Sequence, residues 1–253
     1  MTPFETSFTV TPERAGADGL CKLSALLYYC QEAAGGHCML LGLDWDSLAK
    51  KDLFWALIRT RMEIVRLPKA GESVTVKTWP MPTTRTAFPR ACEGRDGQGN
   101  ILFRSTSLWV LMNKTSRMML LPGKSDVTLE GIILGTEPPA PGSLSPIPGQ
   151  GSVIRQVADE DLDRNGHMNN TRYMDWVWEH LLDSFPGIGA PGAFTACYLS
   201  EALPGQALTV SHRKEEDGCI VTELTRPRNQ DPSKQERVFA AKVEFPVFCK
   251  PML

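Results

Sequence analysis

The chain has 253 residues, of which 42% are apolar and 22% charged, as is typical of a globular protein with a hydrophobic core. Its net charge of −2 argues against a general nucleic-acid binder and leaves room for a local basic patch facing an acidic partner. The seven scattered cysteines form no Cys-x-x-Cys pair, the N-terminus shows no signal-peptide pattern, and no apolar run approaches the membrane-spanning length of about 18 residues. These features predict a cytoplasmic protein without disulfides, a zinc site or a membrane span.

The first half begins with a strand pattern followed by a helix pattern. Polar and apolar residues alternate over residues 5–10, and from near residue 23 apolar side chains recur at helical spacing until Gly35 and Gly36 interrupt them. A continuous series of antiparallel strands comes next. The predicted strands are residues 54–67, 74–79, 87–93 and 101–112.

The second half repeats the order of the first. The turn and strand that follow Pro68 have a counterpart after Pro204, and Phe103 in the last strand of the first half corresponds to Phe239. A second long helix pattern begins near residue 170. Each half therefore consists of one long helix followed by antiparallel strands, an order that excludes the parallel Rossmann sheet, in which helices and strands alternate.

A single helix needs a sheet to cover it, so each sheet is predicted to wrap around its own helix. The predicted fold class is α+β, a tandem (double) hotdog with two antiparallel sheets, each wrapped around a long helix. The first unit is residues 1–125 and the second is residues 151–253. Residues 126–150 are rich in proline and glycine, which predicts a linker between the units.

Residues 161–179 combine a cluster of polar groups with an amphipathic helix. Asp163, Asn165 and His167 are spaced i, i+2, i+4, and an extended segment with this spacing places all three side chains on one side. From residue 170 apolar side chains recur at intervals of three or four, which predicts a helix of about four turns. Asn169 or Asn170 is expected to cap its first turn.

Three interpretations compete for this stretch. Residues 161–166 match the start of an EF-hand calcium loop, but Arg172 stands where that loop requires a bidentate glutamate. A second interpretation is a capping loop whose polar groups only satisfy the backbone. The third is an active site built on a neutral histidine with amide and carboxylate helpers. The residues of this stretch do not decide between the capping loop and the active site.

Residues 161–176 read Asp-Leu-Asp-Arg-Asn-Gly-His-Met-Asn-Asn-Thr-Arg-Tyr-Met-Asp-Trp, which resembles the signature of the acyl-acyl carrier protein thioesterases of bacteria and plant plastids. The similarity extends over most of the chain and includes Gln-Glu-Ala-Ala at residues 31–34, Trp55, and Trp-Val-Leu-Met at residues 109–112. Members of this family are tandem-hotdog enzymes that release free fatty acid. The resemblance implies hydrolysis of the acyl-acyl carrier protein thioester, which terminates chain elongation, without a metal or other cofactor.

The same resemblance assigns the site residues. The family's catalytic groups fall on Asp163, Asn165, His167 and Glu201. The glutamate follows Tyr198 by three residues on what is expected to be the next strand. Plant members have a cysteine beside this glutamate, whereas this chain has Ala202, so a cysteine nucleophile at that position is impossible here.

Thioester hydrolysis requires an attacking oxygen, a polarised carbonyl and a proton for the leaving sulfur. Glu201 or Asp163 acts either as a general base on water or as a nucleophile that forms a mixed anhydride, and the sequence leaves both open. Asn165 supplies an amide for the water or for the carbonyl oxygen. His167 relays a proton or orients a carboxylate.

The first half lacks the corresponding polar groups. Asp-Gly-Leu at residues 18–20 stands where the second half has its polar loop, and Leu67 occupies the register of Glu201. We therefore expect residues 1–125 to form the acyl-chain pocket. The residues predicted to bind the chain are Leu26, Leu27, Trp55, Leu57 and Met62.

The expected partner is an acyl carrier protein that carries the fatty acyl substrate, and a homodimer is left open. Two other functions also stay open. One is an acyl-CoA thioesterase of the same fold, and the other is a hotdog protein that binds acyl groups without catalysis. Hydrolysis assays with both carriers separate these functions.

Overall fold

The computed structural model describes residues 2–228 and 231–246, and its first half follows the predicted order. Strand β1 (Phe4–Thr9) precedes the long helix α1 (Leu23–Leu40), and a short helix α2 (Trp45–Ala49) leads from α1 into the sheet. The remaining strands of this half are β2 (Leu53–Ile64), β3 (Ser73–Pro80), β4 (Phe88–Arg95), β5 (Ile101–Asn113) and the short β6 (Met119–Leu120).

The second half repeats this arrangement. Its elements are β7 (Gln150–Gln156), α3 (Asn170–Ser184), β8 (Ala193–Tyr198), β9 (Ala207–Lys214), β10 (Ile220–Arg228) and β11 (Asp231–Glu244). Helix α3 begins after Asn169, whose side-chain oxygen accepts the N–H of Thr171 at 3.0 Å, as predicted for a cap. None of the helices in the described residues combines the length and apolar composition that a membrane span requires.

All strands belong to one antiparallel sheet, whose main path runs β1-β3-β4-β5-β2-β8-β11-β10-β9-β7. The second half of this path is the first half in reverse, so the two halves are related as the predicted repeat requires. They meet where β2 pairs with β8, with Arg59 opposite Cys197 and Glu63 opposite Ala193. The fold is thus the predicted tandem hotdog, but the two predicted sheets are joined into one, since each half would otherwise leave an open edge strand.

The repeat extends to the turn that precedes each long helix. The N–H of Gly16 donates to the carbonyl of Leu20 at 2.8 Å, and in the second half the N–H of Asp163 donates to the carbonyl of His167 at 2.7 Å. Both turns reverse at a glycine with positive φ, +74° in the first half and +75° in the second. The equivalent positions are Gly16 and Asp163, Asp18 and Asn165, Gly19 and Gly166, and Leu20 and His167.

A second pair of backbone hydrogen bonds fixes the register of the loop that faces each turn. The N–H of Cys21 donates to the carbonyl of Pro68 at 2.8 Å, and the N–H of Met168 donates to the carbonyl of Ala202 at 2.9 Å. Pro68 and Ala202 are therefore equivalent, and so are the residues before them. This confirms the prediction that Leu67 occupies the register of Glu201.

The core lies between the helices and the concave face of the sheet, and it is continuous across both halves. Helices α1 and α3 pack against each other, and buried side chains from both halves join one cluster. Leu26 on α1 and Met62 on β2, both predicted to bind the acyl chain, are completely buried in this cluster. Met62 lies opposite Phe194 of β8 in the strand pair that joins the halves.

The predicted linker has no regular secondary structure before β7, yet it is attached to both halves. The hydroxyl of Thr106 on β5 donates to the carbonyl of Pro138 at 2.7 Å. Arg237 on β11 then donates to the carbonyl of Leu144 at 3.0 Å. The segment therefore packs along the strands of the first half and then along those of the second.

We predict that Met62→Ala lowers the free energy of unfolding by about 2–5 kcal/mol, because it opens a cavity where the two halves share their core. Chemical denaturation measures this change. The matched control is Met118→Ala, since Met118 is 70% exposed. The control is expected to change stability by less than about 0.5 kcal/mol. Equal effects of the two substitutions contradict the joint core described above.

Candidate active site

The segment between β7 and α3 is a tight turn. The N–H of Asp163 donates to the carbonyl of His167, and the N–H of Gly166 donates back to the carbonyl of Asp163 at 3.0 Å. Leu162 and Met168 form an isolated antiparallel bridge at its base. The predicted extended arm is therefore wrong, because the chain reverses at Gly166 and the side chains no longer alternate as they do along a strand.

The carboxylate of Asp163 holds this turn together. Its Oδ1 accepts the backbone N–H of Asn165 at 2.7 Å and that of His167 at 3.3 Å, and its Oδ2 accepts the side-chain amide of Asn165 at 3.2 Å. Asp163 and Asn165 are thus in direct contact, while His167 is tied to Asp163 through its backbone. The first half achieves a similar turn with Asp18, whose Oδ1 accepts the N–H of Leu20 at 3.0 Å.

Glu201 faces the turn from the loop after β8, three residues beyond the end of the strand on which it was expected. Its Oε1 lies 3.5 Å from Nδ1 of His167. The backbone hydrogen bond between Met168 and Ala202 holds the two segments side by side. The structure therefore brings together His167 and Glu201 as one pair and Asp163 and Asn165 as another, and the backbone of the turn connects the pairs.

Arg226 on β10 fixes the loop that carries Glu201. Its guanidinium donates to the backbone carbonyl of Glu201 at 2.9 Å and to the hydroxyl of Ser200 at 2.9 Å. The carboxylate of Glu236 pairs with its Nε at 3.0 Å. Because one mostly buried cation binds several points of the loop, the backbone at Glu201 is held in place from the sheet.

Arg117, a residue of the first half, also reaches the site. It lies in the turn between β5 and β6, forms an ion pair with the carboxylate of Glu201, and packs over the ring of Phe54 with 5.1 Å between its Cζ and the ring centroid. Its φ of +58° lies in the left-handed region, which non-glycine residues seldom adopt outside sites that need it. No sequence signal pointed to Arg117, because its contact with Glu201 spans the two halves.

His167 and Glu201 line an open cleft of about 440 Å³. The other residues that line it are Arg117, Ser200, Leu203, Gln206 and Arg226. The wall of the cleft therefore combines one imidazole and one carboxylate with two guanidinium groups. Such a set of groups can move a proton and stabilise a negative charge in the same place.

Buried groups behind the cleft anchor the start of α3. Tyr198 donates its hydroxyl to the carbonyl of Asn170 at 3.1 Å, and its ring packs edge-on against Tyr173. Burial raises the pKa of both hydroxyls, so they remain neutral. Cys197 directly precedes Tyr198 on β8, and its thiol lies 3.6 Å from the carbonyl oxygen of Gly142. Burial raises the pKa of this thiol, which makes it a poor nucleophile.

Asp161 supports the turn without facing the cleft. Its side chain is 5% exposed, and its Oδ1 pairs with Nε of Arg172 on α3 at 2.9 Å. Its Oδ2 accepts the N–H of Ala158 at 3.2 Å. Asp161 therefore ties the beginning of the turn to the first turn of α3, and Arg172 serves this contact instead of standing at the end of a calcium loop.

The first half contains a large, mostly apolar cavity of about 410 Å³ between α1, α2 and the sheet. Apolar residues that line it include Ala34, Leu43, Trp45, Leu48, Trp55 and Phe88. Arg164, from the turn that carries Asp163 and His167, also borders it and packs over the ring of Trp45, with 4.5 Å between its Cζ and the centroid. The turn thus lies next to both the cleft and the apolar cavity.

The residues predicted to bind the acyl chain occupy three kinds of position. Trp55 lines the large cavity. Leu27 and Leu57 line a second, narrow cavity of about 20 Å³, which shares Gln31, Ala34, Arg90 and Trp109 with the large one. Leu26 and Met62 lie in the common core and border neither cavity.

Two family models match this chain. Residues 2–121 match the model of the acyl-ACP thioesterase N-terminal domain, and residues 154–244 match that of the C-terminal domain. This chain belongs to the acyl-ACP thioesterase family. The boundary between the two matches falls within the segment that connects β6 to β7.

Among its relatives is the chloroplastic palmitoyl-acyl carrier protein thioesterase of Gossypium hirsutum, which is 29% identical over 191 residues, covering 70% of this chain and 46% of that protein. The chloroplastic dodecanoyl-[acyl-carrier-protein] hydrolase of Umbellularia californica is 28% identical over 250 residues, covering 87% of this chain and 63% of that protein. The chain spans about half the length of the first of these curated relatives.

Solved structures share the whole fold of this acyl-ACP thioesterase family member. An acyl-ACP thioesterase from Bacteroides thetaiotaomicron superposes with a TM-score of 0.78 at 24% identity, covering 96% of this chain and 98% of that one. The 12:0-ACP thioesterase from Umbellularia californica also gives a TM-score of 0.78 at 24% identity, covering 96% of both chains. At this identity the likeness establishes the tandem-hotdog fold.

We predict that Asp161→Ala lowers the free energy of unfolding by about 2–3 kcal/mol, because it removes a buried hydrogen-bonded ion pair at the start of α3. Arg117→Ala breaks an ion pair whose two side chains are 44% and 45% exposed. It is expected to change stability by less than about 1 kcal/mol. Denaturant unfolding of both variants checks the difference, and a larger effect at Arg117 contradicts the structural role given to Asp161.

Proposed function

We propose that this chain hydrolyses the thioester of a fatty acyl group carried by acyl carrier protein and releases the free fatty acid. The observation that carries this proposal is the contact between His167 and Glu201 at the open cleft, 3.5 Å apart and supported by the Asp163 turn. The relatives named above act on acyl-acyl carrier proteins by their names, and membership of the same family supports the same carrier here.

The proposed reaction begins with an attack on the thioester carbonyl. With Glu201 as general base, its carboxylate takes a proton from water, the water oxygen bonds to the carbonyl carbon, and the carbonyl oxygen becomes an oxyanion. The carbon–sulfur bond then breaks, and the departing thiolate takes a proton from the protonated acid–base pair. His167 orients the carboxylate and passes the proton between Glu201 and the leaving sulfur.

A direct attack by the carboxylate is the alternative for the same group. Oε1 of Glu201 would then bond to the carbonyl carbon, and water would hydrolyse the resulting mixed anhydride. Oε1 of Glu201 contacts both Arg117 and Nδ1 of His167, and this adjacent imidazole, which can take up or return a proton, favours the role of general base. Hydrolysis in ¹⁸O-labelled water under single-turnover conditions tests the direct route: label in Glu201 shows an anhydride that water opened at the carboxyl carbon of Glu201, and trapping with hydroxylamine detects an anhydride that water opens at the acyl carbon.

Asn165 and Asp163 have different parts in this proposal. The amide of Asn165 is exposed, and one of its N–H bonds is used by Asp163, which leaves the other N–H and Oδ1 for the carbonyl oxygen or the water. Asp163 acts as a positioning residue, because its carboxylate is occupied by the backbone of the turn.

The carrier is expected to approach from the side of the basic groups. Arg117 lines the cleft, while Arg164 and Lys114 flank the ring of Trp45 at the border of the apolar cavity. Acyl carrier protein is acidic and bears its acyl group on a phosphate-linked arm, so these cations favour its approach. Coenzyme A also carries phosphates, and parallel assays with both carriers at rising ionic strength distinguish the two.

We also infer a cytoplasmic location. The six cysteines in the described residues are free thiols and four of them are buried, which suits a reducing compartment. Cys249, the seventh cysteine of the chain, lies outside the described residues.

We predict that Asn165→Ala, His167→Ala and Glu201→Ala each lower kcat for acyl-acyl carrier protein hydrolysis by about tenfold to a thousandfold, the usual range for losing an acid–base group or an oxyanion donor. Circular dichroism and denaturation verify that the variants are folded. Cys197→Ser is the control, and it is expected to retain turnover because this thiol is buried and is not among the residues that line the cleft. Near-native rates in any two of the alanine variants refute the mechanism.

The apolar cavity of the first half is the proposed site of the acyl chain. We predict that Leu57→Ala, which joins the narrow cavity to the large one, shifts the preference toward longer chains. Each additional buried methylene contributes about 0.8 kcal/mol, or roughly a fourfold change in relative kcat/KM. Leu182→Ala is the control, since Leu182 is 45% exposed on α3. A uniform loss of rate at every chain length places the chain elsewhere.

A further inference from the structure

The turn between β5 and β6 has an uncommon backbone conformation at the residue that reaches the cleft. In the part of the chain that the structure describes, only Asp52 and Arg117 are non-glycine residues with a positive φ, +58° in each case. The two lie in one small region, since the carbonyl of Asp52 accepts the N–H of Lys114 at 2.8 Å. Aspartate adopts this left-handed conformation more readily than most residues, whereas arginine does so only where the surrounding structure holds it.

Hydrogen bonds within the turn hold Arg117 in this conformation. The N–H of Arg117 donates to the carbonyl of Asn113 at 3.0 Å, and the N–H of Ser116 donates to Oδ1 of Asn113 at 2.7 Å. From outside the turn, Oδ1 of Asp52 accepts the hydroxyl of Thr115 at 3.0 Å. The backbone of Arg117 is therefore fixed relative to the end of β5.

The side chain of Arg117 is directed to one carboxylate oxygen in the second half. Its guanidinium packs over the ring of Phe54 on β2 and forms an ion pair with Oε1 of Glu201. The same oxygen lies 3.5 Å from Nδ1 of His167. A residue of the first half and a residue of the second half thus contact the same atom.

The side chain of Glu201 has few other contacts that could orient it. Among the described residues its carboxylate has two polar partners, Arg117 and His167. Arg226 binds the backbone carbonyl of Glu201 and leaves the carboxylate untouched. Because the side chain is 45% exposed, it gains rotational freedom when a partner is lost. Without Arg117, the imidazole alone would hold the carboxylate in this part of the chain.

A contribution to folding does not account for Arg117. An ion pair between two half-exposed side chains adds little to stability, because water competes for both charges. The left-handed backbone is unfavourable for a residue with a Cβ, and glycine would form the same turn without that cost. A residue that strains the backbone and gains little stability indicates a function for its side chain.

We propose that Arg117 is a positioning residue for the reaction, and that it holds the carboxylate of Glu201 against His167. The first half then completes the active site of the second. This inference rests on the proposed thioesterase function, because it assigns a further residue to the same site. The guanidinium transfers no proton. It fixes Oε1 beside the imidazole, and the other carboxylate oxygen remains to take the proton from water.

Arg117→Gly tests the proposal because glycine fits the turn and removes the guanidinium. Its unfolding midpoint is expected to be equal to or above that of Arg117→Ala, since glycine relieves the backbone strain. Its kcat is nevertheless expected to fall about tenfold to a hundredfold, the effect of misplacing a reacting group by about 1 Å. Arg117→Lys keeps the charge and is expected to recover part of this loss.

Added guanidinium ions provide a second form of rescue. At concentrations well below those that unfold proteins, guanidinium chloride is expected to raise the kcat of Arg117→Gly, and sodium chloride at equal ionic strength is not. Arg155→Ala is the matched control for Arg117→Ala. Arg155 also pairs with a half-exposed glutamate, Glu179, at 2.7 Å and packs over an aromatic ring, that of Trp176. It is not among the residues that line the cleft, and Arg155→Ala is expected to keep the native kcat.

The competing role for Arg117 is to attract the acidic carrier. Removal of a docking residue raises KM and leaves kcat unchanged. Its effect also disappears with a small acyl thioester of N-acetylcysteamine, which has neither the carrier nor a phosphate. The positioning role predicts the same fold loss in kcat/KM for the small thioester and for the acyl-acyl carrier protein. A native kcat in Arg117→Gly, or a loss confined to the carrier substrate, overturns the proposal.

The contact between Glu201 and His167 can also be observed without turnover. NMR signals of the His167 ring nitrogens are expected to change in the same direction in Arg117→Gly and in Glu201→Gln, because the carboxylate leaves the imidazole in the first and loses its charge in the second. Arg155→Ala is expected to leave them unchanged. Absence of hydrolysis by the native protein refutes the thioesterase function. Unchanged His167 signals in Arg117→Gly refute the positioning role, whether or not the native protein is active.

Discussion

The pairing of β2 with β8 is the constraint on which the rest of the structure depends. Each hotdog half ends its sheet with one of these strands, and an unpaired edge would expose a row of backbone donors and acceptors. Pairing the two edges produces one continuous sheet and one continuous core, with Met62 against Phe194 at the junction. A bidentate contact between Arg61 of β2 and Glu244 of β11, with 2.5 Å between Nη1 and Oε1, crosses the same junction.

The junction also explains how the polar cleft and the apolar cavity come to lie near each other. It brings the β5–β6 turn of the first half to the cleft of the second, so that Arg117 meets Glu201. It likewise sets the turn of the second half against the apolar cavity of the first, where Arg164 packs over Trp45. Neither half by itself contains both the polar cleft and the apolar cavity.

The two halves form the same turn with different side chains. Both have the same backbone hydrogen bonds and a glycine at positive φ in the equivalent position. The first half has Leu20 where the second has His167, and Leu67 where the second has Glu201. Both halves therefore provide the same backbone geometry, and only the second carries an imidazole and a carboxylate on it.

Much about this protein was determined by its sequence alone. Periodicity predicted the helices and most strands, the repeat predicted the tandem hotdog, and the equivalence of Leu67 with Glu201 followed from letters near Pro68 and Pro204. These features are local or repeat at a fixed offset, so residues close in sequence are enough to specify them. The prediction of an extended arm failed at Gly166, where φ is positive and the chain reverses. An i, i+2, i+4 spacing places side chains on one face only where the backbone is extended.

Tertiary structure alone decided how the two halves meet and what their contacts bring together. The joining of two sheets into one depends on edge pairing between strands distant in the chain, which no local pattern specifies. The contact between Arg117 and Glu201, and the packing of Arg164 over Trp45, depend on the same long-range packing. An arginine has no distinctive pattern in the sequence, and only the folded chain decides which groups surround it.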